Sequence, residues 1–158
     1  MADTMMNVGK GRAVELYRNI KDNTRANASF VVVLLKVSEA DGTLEDYATL
    51  GALLAGANTE ADFTNYLPRK KLSDLELAAF PAPNNTSNKY EITFPDQVYT
   101  DAGGGTNNTM TKLLLCYDDD TTSGTDANIV PIGAYDYTGT TDGSTITITF
   151  PADAFNAA

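Results

Sequence analysis

Four aspartates stand within residues 118–126, and they are the side chains in this sequence best suited to hold a metal ion. Calcium binds about six to eight oxygen atoms from carboxylates, carbonyls and water, and such a loop could supply several of them. The spacing is not that of an EF-hand, and the consecutive Asp118, Asp119 and Asp120 would point in different directions. We therefore predict an acidic, solvated loop closed by Asp126, and no metal-binding residue.

The run Arg69-Lys70-Lys71 is the feature best suited to dock on an acidic partner. It stands out because the chain as a whole has a formal net charge of −10. The alternative is a run that is simply solvated at the boundary of a helix, as charged runs commonly are. We predict that Arg69, Lys70 and Lys71 bind a partner.

The usual catalytic groups are missing from a sequence that contains no histidine. Without imidazole there is no Ser-His-Asp triad, no Cys-His pair and no histidine metal ligand. Cys116 lies between Leu115 and Tyr117 in an apolar segment, so we predict a buried, unreactive thiol. The glycines lack phosphate-loop spacing, and no pair of acids is singled out for glycoside hydrolysis. We predict no catalytic residue, no cofactor and no enzymatic activity.

Negative charge is concentrated in the second half of the chain. Residues 1–71 carry nine basic and nine acidic residues, whereas residues 72–158 carry two lysines and twelve acids. This surface would repel nucleic-acid phosphates, and it favours solubility or a basic protein partner. No apolar segment is long enough to span a membrane, and the first residues do not have the pattern of a signal peptide. We expect neither a nucleic acid nor a membrane as partner.

Helix signals dominate residues 1–80, around one apolar strand. Residues 30–37 are the most apolar run and are rich in β-branched side chains, which predicts a strand buried on both faces. An amphipathic helix of about three turns is predicted within residues 7–26. Capping patterns predict three further helices, which begin at Thr43, Thr59 and Ser73 and end near Gly56, Pro68 and Pro81.

Strand signals dominate residues 89–158, where apolar residues recur with a period of two. The predicted strands are 90–94, 97–100, 112–117, 129–137 and 144–150. We predict an α+β fold, in which a helix-rich N-terminal half (1–80, with the strand at 30–37) packs with an antiparallel β-sandwich or small barrel in the C-terminal half (89–158). Residues 81–88, rich in Pro, Asn and Ser, are predicted to be a linker within one compact unit.

Eight segments carry a resemblance to a known group of proteins. In the first half they are Gly11–Tyr17, Ala28–Lys36, Thr43–Leu54, Asn58–Tyr66 and Arg69–Leu72. In the second half they are Pro95–Tyr99, Lys112–Asp118 and Gly124–Pro131. Together they resemble small proteins encoded in the head-gene region of tailed bacteriophages. The likeness is one of sequence texture over most of the chain, not of a catalytic motif.

This resemblance implies a virion structural role, that of a capsid decoration or cement protein. The implied partner is the major capsid protein, and the implied location is the capsid exterior after synthesis in the host cytoplasm. A homo-oligomer, dimer or trimer, is expected because two-fold and three-fold capsid positions favour such symmetry. The neutral first half would then bind the capsid, and the acidic second half would face solvent.

Two other functions stay open at this point. The first is another virion part, such as a tail, head–tail connector or fibre component. The second is a carbohydrate-binding β module, in which strand tyrosines would form an aromatic surface for sugars. The candidate tyrosines are Tyr90, Tyr99, Tyr117, Tyr135 and Tyr137.

Overall fold

A computed structural model describes residues 3–151 and 154–157 of the chain. It is mostly β-sheet, with 32% of residues in strands and 13% in three short helices among the described residues. The predicted α+β fold with a helix-rich N-terminal half is therefore wrong. The elements in chain order are β1 (Thr4–Met5), α1 (Ala13–Lys21), β2 (Ser29–Val37), α2 (Asp41–Leu44), α3 (Leu50–Ala55), β3 (Thr59–Glu60), β4 (Lys70–Leu72), β5 (Tyr90–Ile92), β6 (Gln97–Tyr99), β7 (Thr109–Asp118), β8 (Val130–Thr140), β9 (Ile146–Ile148) and β10 (Phe155–Ala157).

The central sheet combines strands from both halves of the chain. Its order is β1-β8-β7-β2, and β3 and β4 both pair with the remaining edge of β2. All of these pairs are antiparallel. Two smaller sheets pair β5 with β10 and β6 with β9. The main sheet is thus not confined to residues 89–158, because β2 lies directly beside β7.

The predicted strands are found where the apolar pattern places them. Each of the six has its counterpart in β2, β5, β6, β7, β8 or β9, with ends shifted by a few residues. The pattern misses β1, β3, β4 and β10, which are only two or three residues long. Residues 82–88 are exposed, and the isolated bridge between Asn84 and Lys89 closes a loop within them.

One face of the central sheet, which we call the aromatic face, carries Phe30, Val32 and Leu34 of β2. Helix α1 covers it with Leu16, Tyr17 and Ile20, as its predicted amphipathic pattern requires. Aromatic rings complete the core, and Phe30 meets Phe94 edge to face with ring centroids 5.3 Å apart. The small sheets contribute further core residues, among them Ile92, Tyr99 and Ile148.

The opposite face, which we call the aliphatic face, carries Val31, Val33 and Leu35 of β2. Helices α2 and α3 cover it with Leu44, Leu50 and Leu53. Each of these residues is at most 3% exposed. The prediction that residues 30–37 form a strand buried on both faces is therefore confirmed, except at its exposed end Val37.

The single helix predicted from Thr43 to Gly56 is two short helices with a break at residues 45–49. Thr49, not Thr43, provides the side-chain cap, and its Oγ1 accepts from the Ala52 N–H at 3.2 Å. The break has a tertiary cause, because the first N–H groups of α3 donate outside the helix. Leu50 N–H donates to Ile129 O at 2.8 Å, and Gly51 N–H donates to Asp126 O at 2.7 Å.

The helices predicted to begin at Thr59 and Ser73 are replaced by strands and turns. The predicted capping contact exists, since Ser73 N–H donates to Glu76 Oε2 at 2.8 Å. The turn does not extend, because Lys21 Nζ donates to Asp74 O at 2.6 Å and to Leu77 O at 2.8 Å. These carbonyls would accept from the following turn in a helix. A cap stabilises a first turn but does not propagate it.

Candidate functional site

An open cleft of about 690 Å³ lies on the aliphatic face, beyond the cover that α2 and α3 provide. Val31 and Ile129 line it and are nearly buried, at 3% and 4% exposed. Leu67 also lines it and is 71% exposed. Apart from Pro68 and Gly124, the remaining lining residues are charged, and they include residues from both sequence motifs singled out above. The structure thus brings together the basic run and the acidic loop.

Arg69 is held by two carboxylates of its own chain. Its guanidinium donates to Glu60 Oε2 at 2.5 Å and to Asp126 Oδ1 at 2.6 Å. One further hydrogen bond goes to the second oxygen of each carboxylate, Glu60 Oε1 and Asp126 Oδ2. The side chain is only 19% exposed. The hydrogen bonds to Glu60, with those to Asp126, raise the pKa of Arg69. Arg69, which directly precedes β4, therefore links β3 to the β7–β8 loop through these ion pairs.

The two lysines of the basic run point to opposite faces of the sheet, because side chains alternate along β4. Lys70 lies opposite Val32, and its Nζ sits 5.1 Å from the centroid of the Tyr99 ring. Lys71 lies opposite Val31, lines the cleft and donates to Thr121 O at 3.1 Å. The three basic residues therefore have three different surroundings. Partner binding by Arg69, Lys70 and Lys71 stays a prediction, and Lys71 is the one exposed at the cleft.

Three of the four aspartates in the acidic loop have different partners, so they diverge. Asp119 pairs with Arg25 at 3.1 Å, Asp120 accepts from Thr122 and Ser123, and Asp126 pairs with Arg69. Hydrogen bonds from Ser123 and Thr122 lower the pKa of Asp120 to about 2. Among the described residues, no group of three or more His, Cys, Asp or Glu side chains could hold a metal ion.

Asp118 differs from the rest of the loop because it is only 5% exposed, contrary to the predicted solvated loop. It is the last residue of β7 and lies on the aliphatic face, two residues beyond Cys116. Its Oδ1 accepts from the Asp120 N–H at 3.1 Å, while Gly124 approaches it closely enough to exclude a larger residue. Burial raises the pKa of Asp118, despite the attraction of Lys71. This carboxylate lines the cleft.

The acidic loop is fixed on the helical cover of the aliphatic face. A Cβ built on Gly51 of α3 would lie 3.0 Å from Ala127 N and 3.1 Å from the Asp126 carbonyl carbon. Only a glycine allows the helix to approach the loop so closely. At the other end of the loop, Thr121 N–H donates to Asn27 O at 3.1 Å. The cleft therefore has a rigid wall.

A second charged cluster lies at the opposite end of the aliphatic face. Lys112 is 0% exposed, and its Nζ lies 2.6 Å from Asp41 Oδ1 and 2.5 Å from Asp136 Oδ1. Burial lowers the pKa of Lys112, but the hydrogen bonds to Asp136 and Asp41 outweigh it and raise the pKa overall. Sequence analysis missed this cluster. The sequence does contain a signal for it: Lys112 is two and four residues from Leu114 and Cys116, so in a strand it shares their buried face.

Four of the remaining sequence candidates lie in the core, whereas Tyr90 and Tyr137 are half-buried. Cys116 is 0% exposed, as predicted, and burial raises the pKa of its thiol. Tyr99, Tyr117 and Tyr135 are at most 5% exposed, so these three do not form a surface that could stack on sugars. Sequence analysis also missed Glu60 and Leu67, which no motif marks.

Comparison of the chain with protein-family models, with curated proteins and with solved structures finds no match. In the described part of the chain, none of the helices has the length and apolar character needed to cross a membrane.

Proposed function

We propose that this protein is a virion structural protein of a tailed bacteriophage, a capsid decoration or cement protein that binds the outer surface of the major capsid protein shell and stabilises it. The likeness of eight segments to head-region phage proteins supports this proposal. In this proposal the protein acts on the capsid exterior after synthesis in the host cytoplasm, as a dimer or trimer that matches capsid symmetry.

The observation that carries the proposal is the open cleft on the aliphatic face. Exposed Leu67 beside nearly buried Val31 and Ile129 offers an apolar contact, and the charged rim can orient a partner. Protein interfaces combine such an apolar centre with a polar rim. The cleft rests on paired strands and ion pairs, so a partner would meet a preformed surface.

The test is co-sedimentation of the purified protein with expanded capsids that lack it. We expect saturable binding at a simple ratio to the major capsid subunit, and a higher temperature of capsid disruption. Capsids that already carry the protein are the control, and they should bind no more. If the empty capsids bind none, the decoration proposal is wrong, and immunolabelling of particles would then show whether the protein lies in the tail.

A further inference from the structure

Asp118 is a nearly buried carboxylate in the lining of the cleft. At 5% exposure it has lost most of its hydration, yet the hydrogen bond it accepts is a 3.1 Å contact from the Asp120 N–H. Buried carboxylates are normally stabilised by a cation or by several donors. Arg69, a cation of the same cleft, is already bound by Glu60 and Asp126. Asp118 therefore has capacity for another donor, and it lines the cleft.

The charges that line the cleft define what would complete it. They comprise three carboxylates and two cations, which are Glu60, Asp118, Asp126, Arg69 and Lys71. Arg69 is shared by two of the carboxylates, and Lys71 donates to a backbone carbonyl. One additional positive charge would make the group neutral. A calcium ion would need about six to eight oxygens, whereas Glu60 and Asp126 already form ion pairs with Arg69 and only Asp118 of the three carboxylates does not.

The apolar part of the cleft defines a second requirement for the partner, which must cover exposed apolar surface. Leu67 is 71% exposed at the rim, and Val31 and Ile129 lie beneath at 3% and 4%. An aliphatic side chain seated there would cover Leu67 and bury apolar area, which favours association. A long basic side chain can satisfy both requirements, because its methylene stem covers apolar surface while its head reaches a carboxylate.

We propose that the cleft receives a lysine or arginine side chain of the major capsid protein, whose cationic head binds Asp118 and whose stem, with an adjacent aliphatic residue, covers Leu67. This inference rests on the proposed function and names the chemistry of its partner at the cleft. A cationic partner is consistent with the charge of −10 on this chain, which would steer basic surfaces toward it.

The first test compares the capsid affinity of Asp118→Asn with that of Asp96→Asn. Both variants remove one negative charge, but Asp96 is an exposed residue of the segment between β5 and β6. The amide oxygen introduced by Asp118→Asn can still accept from the Asp120 N–H, so the loop should keep its shape. We expect Asp118→Asn to weaken capsid binding by about 10-fold or more, as loss of a charge-assisted hydrogen bond does. Asp96→Asn should change binding by less than about 2-fold.

The second test compares Leu67→Ser with Leu75→Ser. Both leucines are strongly exposed, at 71% and 88%, but only Leu67 lines this cleft. Binding should weaken in Leu67→Ser and stay unchanged in Leu75→Ser. Suppose that the wild type binds capsids, and that Asp118→Asn and Leu67→Ser bind as tightly as their controls. The cleft is then not the docking site, but the decoration proposal stands. If the wild type binds no capsid, both proposals fall.

Discussion

The two faces of the central sheet bury the same strands with different residues. On the aromatic face, the buried residues of β2 are Phe30, Val32 and Leu34, and they meet rings from α1 and the loops. The aliphatic face has an apolar centre and a charged residue at each end of β7. Lys112 lies opposite Leu35, and Asp118 lies opposite Ser29. Leu114 and Cys116 stand between them, because every second residue of a strand shares one face.

The two charged residues differ in their ion pairs and in their access to the cleft. Lys112 is fully buried and bound by two carboxylates, so that end is closed. Asp118 accepts a single backbone hydrogen bond and borders an open cleft. The proposed docking of a cationic side chain at Asp118 rests on this difference.

The largest expected effect is on the aromatic face. Phe30→Ala should lower the free energy of unfolding by about 3–5 kcal/mol, because it leaves a cavity among rings that now pack within about 6 Å. Urea denaturation followed by tyrosine fluorescence measures it. Phe30→Leu, which keeps most of the volume, should cost clearly less. A loss below about 1 kcal/mol would mean that packing around Phe30 contributes little to the free energy of unfolding.

The closed end of the aliphatic face should be almost as sensitive. Lys112→Met keeps the side-chain length but removes the buried cation that Asp41 and Asp136 share, and we expect a loss of about 3 kcal/mol. The triple variant Lys112→Met, Asp41→Asn, Asp136→Asn should regain much of this loss, since the two negative charges that Lys112 balanced are then removed with it. Equal stability of the single and triple variants would contradict the ion-pair account.

An intermediate effect is expected where α3 meets the acidic loop. Gly51→Val should destabilise the protein by about 1–3 kcal/mol, because the new atoms would overlap the backbone of Asp126 and Ala127. Gly42→Val in α2 is the matched control, since a Cβ at Gly42 has open space around it. Thermal unfolding by circular dichroism compares the two. Similar melting temperatures for both variants would show that the loop is not held against the helix.

The smallest effect concerns Asp118 and changes sign relative to the others. Its folded-state pKa is raised from 3.8, so the charged form costs stability above that pKa and nothing well below 3.8. Asp118→Asn should therefore have a slightly higher melting temperature at pH 7, and this gain should vanish near pH 3. The groups that act on Asp118 are Lys71, Asp119 and Asp120. A lower melting temperature at pH 7 would show that the charge is compensated.

Opposite behaviour is expected for Asp136, whose pKa the hydrogen bond from Lys112 lowers. A carboxyl group with a lowered folded-state pKa contributes stability above its unfolded pKa near 3.8, and this is lost as the pH falls through the folded value. Asp136→Asn should thus destabilise the protein at pH 7 and lose this effect in acid. The two ends of one face are expected to give opposite pH profiles in the same thermal-unfolding experiment.

Sequence patterns predicted strands well and helices poorly, and the reason is physical. The alternation in β5 and β9 and the apolar runs in β2 and β7 reflect burial directly. These strands could therefore be predicted from neighbouring residues alone. Capping patterns at Thr43, Thr59 and Ser73 report only the first turn of a helix. Tertiary contacts determined the structure beyond that turn: donation by Leu50 and Gly51 to the β7–β8 loop for the first segment, pairing with β2 for the second, and donation by Lys21 for the third.

The candidate site shows the same division. The basic run and the acidic loop were both found from residue types, but each was interpreted by itself. Their contact joins Arg69 to Asp126 across 57 positions of the chain, which no local pattern encodes. Strand alternation then separated Lys70 from Lys71, so a run in sequence is not a patch in space. The cleft also draws on both halves of the chain, so the predicted division into a binding half and a solvent half does not describe it.

By itself, the sequence determined that this chain is acidic, lacks histidine chemistry and has strands apolar enough to be buried, since these properties depend on composition and on near neighbours. Only the tertiary structure decided which strands share a sheet, where three predicted helices end or disappear, and which charges find partners. Those outcomes depend on backbone groups and charges far apart in the chain competing for the same hydrogen bonds. The position of Asp118 at the cleft, without an ion pair to Arg69, is a product of that competition.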